Sequence, residues 1–145
     1  MVRELRHCGI VVSSMDRALH FYCDLLGLVV EKESNEAGSY LDNMLSLVDS
    51  AVATAKLSAG LGPTLVELLE FKSHRDDEPA AREIYSVGPT HIAFTVSDLD
   101  QTYHALSEAG VRFNAPPQLS PDGYAKVTFC KDPDGTSIEL VQVLG

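Results

Sequence analysis

The chain has 145 residues, 45% of them hydrophobic and 22% charged, with a formal net charge of −10. That length buries a core of its own, and the proportions are those of an ordinary globular chain. The acidity argues against nucleic acid and against an anionic membrane surface as partners, since both are held by clustered Lys and Arg. No apolar run approaches the roughly 20 residues that span a bilayer. Met1–Arg6 runs straight into a strand without the apolar segment of a secretion signal, so a cytoplasmic location is expected. Cys8, Cys23 and Cys130 are odd in number and scattered, which fits small buried hydrophobes in a reducing compartment better than a disulfide framework.

Residues 5–12 alternate as a strand does. Cys8, Ile10 and Val12 share one face, and Leu5, His7, Gly9 and Val11 share the other. Ser13-Ser14 offers a helix N-cap. Met15, Ala18, Leu19, Tyr22, Leu25 and Leu26 recur at helical spacing, and Gly27 stops the helix. Leu28–Glu31 reads as a second strand, residues 33–39 as loop, and residues 40–48 as a short helix or flap. Strands follow at residues 51–57 and 64–71, with Gly60-Leu61-Gly62-Pro63 as the turn between them. The charged segment 73–87 links this module (residues 4–72) to a second (88–145), and within it residues 80–85 suggest a short helix. The second module repeats the order: a strand at 91–96, a helix at about 99–109 stopped by Gly110, and a strand at 111–113. A loop with Pro116-Pro117 and Pro121-Asp122-Gly123 follows, then strands at 124–130 and 136–143 around the Asp132-Pro133-Asp134-Gly135 turn.

The two modules are copies. One spacing pairs His7 with His91, Val12 with Val96, Asp16 with Asp100 and His20 with His104. The fold class is therefore α+β: one domain of two β-α-β-β-β modules. Each helix covers one face of its own sheet, and the other faces are expected to form a curved sheet around a cleft. On that inner face each module places a carboxylate in the middle of an apolar last strand, Glu67 in the first and Glu139 in the second. A carboxylate there is costly unless paired or bound to a cation. A lone histidine at a strand end is more often structural than a ligand. Two histidines and two carboxylates in repeat-equivalent positions point instead to one shared divalent transition ion. His20 and His104 fall on helices and His74 in the linker, outside this set.

The motifs Leu5–Val12, Phe21–Leu28, Val66–Leu69, Gly88–Phe94 and Asp132–Leu140 resemble the vicinal oxygen chelate superfamily. It includes glyoxalase I, methylmalonyl-CoA epimerase, extradiol dioxygenases and bleomycin-binding proteins. The resemblance implies that His7, Glu67, His91 and Glu139 bind one metal ion, with Zn, Ni, Co, Mn and Fe all compatible. This His/Glu/His/Glu order is similar to that of bacterial glyoxalase I. The epimerase usually has Gln where Glu67 stands, and extradiol dioxygenases use two His and one Glu.

The resemblance further implies a lyase or isomerase that works through a metal-chelated enediolate on a small oxo- or hydroxy-acyl compound. Glu139 is then the proton shuttle, with Glu67 the second candidate. An epimerase, an Fe(II) or Mn(II) ring-cleavage dioxygenase and a non-catalytic binding module are the alternatives. Tyr40, Met44, Thr54, Lys56, Tyr124 and Lys126 are candidates to hold the substrate. A homodimer is expected, with the metal site either within one chain or shared between two.

Overall fold

Each module begins with a short strand whose alternation decides which side chains meet the helix. In the first, β1 (His7–Val11) buries Ile10 on the same side as Val12, and leaves His7, Gly9 and Val11 on the other. Ser14 caps α1 (Met15–Leu19), its hydroxyl accepting from the Arg17 N–H. The helix expected to continue to residue 26 widens into a π-helical turn at His20–Leu25, with Phe21 and Tyr22 buried edge to face. Gly27 then ends it at φ +81°, a backbone region that an L side chain disfavours.

The computed structural model describes residues 1–60 and 62–145. After Gly27 come β2 (Val29–Ala37), α2 (Ser39–Leu45), β3 (Ala51–Ser58) and β4 (Leu65–Phe71). They form one sheet in the order β1-β4-β3-β2, with β1 parallel to β4 and the other pairs antiparallel. Val66, Leu68, Ala55 and Leu57 are buried on the side that α1 covers, where α1 packs across β4. Each leucine buried in this way contributes about 1.5–3 kcal/mol.

The second module contains β5 (His91–Thr95), α3 (Leu99–Glu108), β6 (Gln118–Leu119), β7 (Ala125–Lys131) and β8 (Ser137–Val143), in the sheet order β5-β8-β7-β6. Its strands pair as in the first: β5 parallel to β8, the rest antiparallel. Asp98 caps α3 by accepting from the Gln101 N–H. Leu99 and Leu106 of α3 are buried, as are Ile138 and Leu140 of β8 and Cys130 of β7. The chain divides into two compact units, Met1–Pro79 and Ala80–Gly145, with the boundary inside the expected linker.

The two modules share a device that the strand pattern does not announce. Glu70 at the end of β4 is 8% exposed, and its Oε2 accepts the backbone N–H of Met15 at 3.0 Å. In the repeat-equivalent place on β8, Gln142 Oε1 accepts the N–H of Leu99 at 2.9 Å. Each last strand thus satisfies an orphan donor at the start of its own module's helix. Helix and sheet are fixed to each other by that bond.

Three expectations are corrected. Residues 33–37 are strand rather than loop: after a bulge between Val30 and Lys32, β2 pairs with β3 as far as Ala37. Its polar, exposed sequence hid it. Residues 80–85 form no helix; the chain turns there, with the Ser86 N–H bonded to the Glu83 carbonyl. Residues 111–113 contribute only a single bridge, Phe113 to Cys130. The second strand of that sheet is the two-residue β6, which starts just after Pro116-Pro117, since proline has no N–H to give a ladder. The turn expected at residues 60–63 includes Leu61, which lies outside the described residues.

Candidate metal centre

Register places the first half of the site. β1 and β4 pair His7 with Leu65 and Gly9 with Glu67, so His7 and Glu67 share the face that α1 does not cover. His7 Nε2 lies 3.1 Å from Glu67 Oε2. The other oxygen of Glu67 faces Lys56 Nζ at 3.5 Å, because β3 sets Lys56 directly opposite Glu67. The Glu67 side chain is only 13% exposed, which makes such partners necessary.

The second module builds the same pair from its own strands. β5 and β8 pair His91 with Ser137 and Ala93 with Glu139. His91 Nε2 lies 3.1 Å from Glu139 Oε2. The Thr90 hydroxyl is 2.8 Å from His91 Nδ1, which occupies that ring nitrogen and leaves Nε2 for the carboxylate side. Opposite Glu139, where the first module has Lys56, stands Phe129. Its ring meets that of His91 edge to face, with centroids 5.3 Å apart. Glu139 Oε1 has no hydrogen-bond or ion-pair partner among the described residues, whereas both oxygens of Glu67 are engaged.

Each pair fits a divalent ion. Two ligands bonded at ~2.1 Å and at right angles on one ion stand ~3.0 Å apart, close to the separation seen in both modules. Imidazole nitrogen with carboxylate oxygen is the donor set of Zn, Ni, Co, Mn and Fe sites. Each module supplies two donors, and among the described residues no group of three or more His, Cys, Asp or Glu is assembled.

The candidate substrate residues divide. Thr54 and Lys56 lie on the same face as Glu67, since β3 pairs them with Leu69 and Glu67. Tyr40 and Met44 are exposed on α2, and Tyr124 is exposed just before β7. Lys126 lies on the other face. It pairs with Gln142 in register, on the helix-covered side, and its ammonium binds Asp100 of α3. Phe129, Thr90 and Lys32 were not anticipated. Counting back from the Asp132–Gly135 hairpin would have found Phe129, because Lys131 opposite Ser137 sets Phe129 opposite Glu139.

The other histidines find local partners. His20 Nδ1 is 2.9 Å from Asp24, and His74 Nδ1 is 2.9 Å from the Ser73 hydroxyl. His104 on α3 packs against the Tyr103 ring.

Two βαβββ modules of this kind, each with a His–Glu pair on its uncovered face, define a glyoxalase-like fold. Residues 4–140 match the model of the glyoxalase/bleomycin resistance protein/dioxygenase superfamily, and the chain belongs to that family. It is 29% identical to the uncharacterized protein YwkD of Bacillus subtilis, over 98% of each chain. It is 28% identical to a protein of Synechocystis named probable lactoylglutathione lyase, over 95% of this chain and 94% of that one. Among solved structures, a glyoxalase family protein from Bacillus cereus superposes with a TM-score of 0.84 at 22% identity, over 100% of this chain and 97% of that one.

Proposed function

We propose that this protein is a metal-dependent lyase or isomerase of the glyoxalase I type, acting on a small oxo- or hydroxy-acyl compound. His7, Glu67, His91 and Glu139 hold one divalent ion, either within one chain or across a homodimer. The observation that carries the reading is the His Nε2–Glu Oε2 pair, made twice at 3.1 Å on equivalent strands. The lyase named for the Synechocystis relative supports the same class of reaction.

A bound divalent ion would supply Lewis-acid stabilisation of negative charge on two neighbouring substrate oxygens. The chain supplies the proton transfer. Glu139 takes a proton from the carbon beside a carbonyl and returns it to the neighbouring carbon, so the reaction is an isomerisation with no net proton change. Glu139 suits this better than Glu67, because one of its oxygens is unengaged while Lys56 and His7 hold both oxygens of Glu67. Phe129 beside it presents an apolar surface that limits water near the transferring proton.

The test combines metal analysis with solvent-deuterium incorporation over a panel of 2-oxo acids, hydroxyacyl thioesters and acyl-CoA compounds. Wild-type protein is expected to hold one divalent ion per site, and His91→Ala to lose it. Glu139→Gln is expected to lower exchange by about 10²–10⁴-fold, the usual contribution of a positioned base. Wild-type protein that takes up no metal when it is supplied in excess overturns the reading.

A further inference from the structure

The sheet of the first module carries a cross-strand row that the metal reading does not use in full. β2 sets Lys32 directly opposite Lys56, and β3 sets Lys56 directly opposite Glu67. Residues opposite each other in an antiparallel pair share a face. Lys32, Lys56 and Glu67 therefore stand side by side on the uncovered face, with Ser34 and Thr54 two pairs further along. Like charges directly opposite destabilise a sheet. The pair has one close counter-charge: Glu67 reaches Lys56 at 3.5 Å, and Lys32 has no ion pair among the described residues. Of the acids of β2 on this face, Glu31 lies in the bulge, accepts from the Ser58 hydroxyl and makes no ion pair with either lysine among the described residues, and Glu36 is opposite Val52, two pairs beyond Ser34 in the direction away from Glu67. Four residues of strand separate it from Lys32, about 13 Å.

The second module sharpens the point. Its row reads Phe129, Glu139 and Ala93, and β6 ends before it reaches Phe129. The second module has one lysine on this face, Lys131, which donates to the Ser137 hydroxyl, so two lysines set directly opposite each other occur in one copy only, in a chain with 11 Lys and Arg against 21 Asp and Glu. A solvated structural role does not explain why two of them confront each other beside Glu67.

We infer that Lys32 and Lys56 bind an anionic oxygen group of the substrate, a carboxylate or a phosphate, next to the Glu67 end of the metal set. The inference rests on the reading of this face as the substrate face, and it narrows the substrate from any oxo- or hydroxy-acyl compound to an acidic one. The Lys56–Glu67 contact is a long, partly exposed ion pair, of a kind that contributes little to stability. An ammonium has three N–H donors, so Lys56 can hold Glu67 and still meet an incoming anion. Thr54 and Ser34 add hydroxyl donors on the same face.

The test titrates the protein with pyruvate, inorganic phosphate and the neutral analogue pyruvamide, following backbone amide shifts by NMR, and measures metal content on the same samples. At least one of the two anions is expected to bind about tenfold more tightly than pyruvamide, with shifts centred on residues 32–34 and 54–56. Preference for pyruvate assigns a carboxylate, and preference for phosphate a phosphate. Lys32→Met, at an exposed position, is expected to weaken the anion about tenfold while metal content is unchanged; Lys56→Met should weaken the anion by a similar factor. Equal binding of pyruvamide, an unchanged affinity in Lys32→Met, or no binding of either anion overturns the inference. Failure of the wild type to take up metal overturns the proposed reaction instead, and leaves the anion titration to decide this point separately.

Discussion

Glu70 carries a charge at a position where its counterpart in the other module, Gln142, carries none. The Lys72 ammonium 2.7 Å away and the Met15 N–H hold its carboxyl below the usual range, with Lys72 and Arg75 adding charge attraction against the cost of burial. A lowered native pKa means that the stabilisation is fully present above the ordinary carboxyl value of ~4.3 and is lost as pH falls through the native value. Glu70→Gln keeps an acceptor for Met15, as Gln142 does for Leu99, but removes the charge. It is expected to cost about 1.5 kcal/mol at pH 7, the scale of a hydrogen bond to a charged group. The cost should be smaller at pH 3 than at pH 7. Urea unfolding at both pH values checks this, and an equal cost at both would show that the charge contributes nothing.

At the scale of elements, β7 shows how a strand's phase decides chemistry. Cys130 is fully buried, and burial pushes its thiol up to about 11. It should resist iodoacetamide at pH 8 in the folded protein and react only on unfolding, which mass spectrometry of labelled peptides would show. The same phase turns Lys126 toward Asp100 and Phe129 toward His91. Alternation alone leaves the phase of such a strand open, which is why Lys126 was expected on the wrong face. The His–Glu pairs were legible because duplication fixed their phase twice, on strands with one clearly buried side. β2 was illegible for the opposite reason. Nearly all of its residues are exposed, so no hydrophobic alternation marks it. Glu70 escaped notice because a carboxylate at a strand end looks solvated until its helix partner is known.

For the whole molecule, duplication makes each module contribute half of a proposed ligand set, and this gives a test of assembly. His7→Ala and His91→Ala chains should each lose the metal when alone. If two chains exchange modules, a mixed dimer has one intact site, and mixing restores up to half of the metal. If each chain closes on itself, mixing restores none. Metal analysis after co-refolding reads the difference. The β2 and β6 edges of the two sheets bear on assembly in another way. β2 ends one sheet with a bulge and an exposed run, Glu31-Lys32-Glu33-Ser34-Asn35-Glu36, and β6 ends the other after two residues, just past two prolines. An unpaired edge is a template on which further chains can stack without limit. One copy of the module blunts that template by charge and a kink, the other by brevity and proline. The two copies thus arrived by different routes at the same protection against fibre growth.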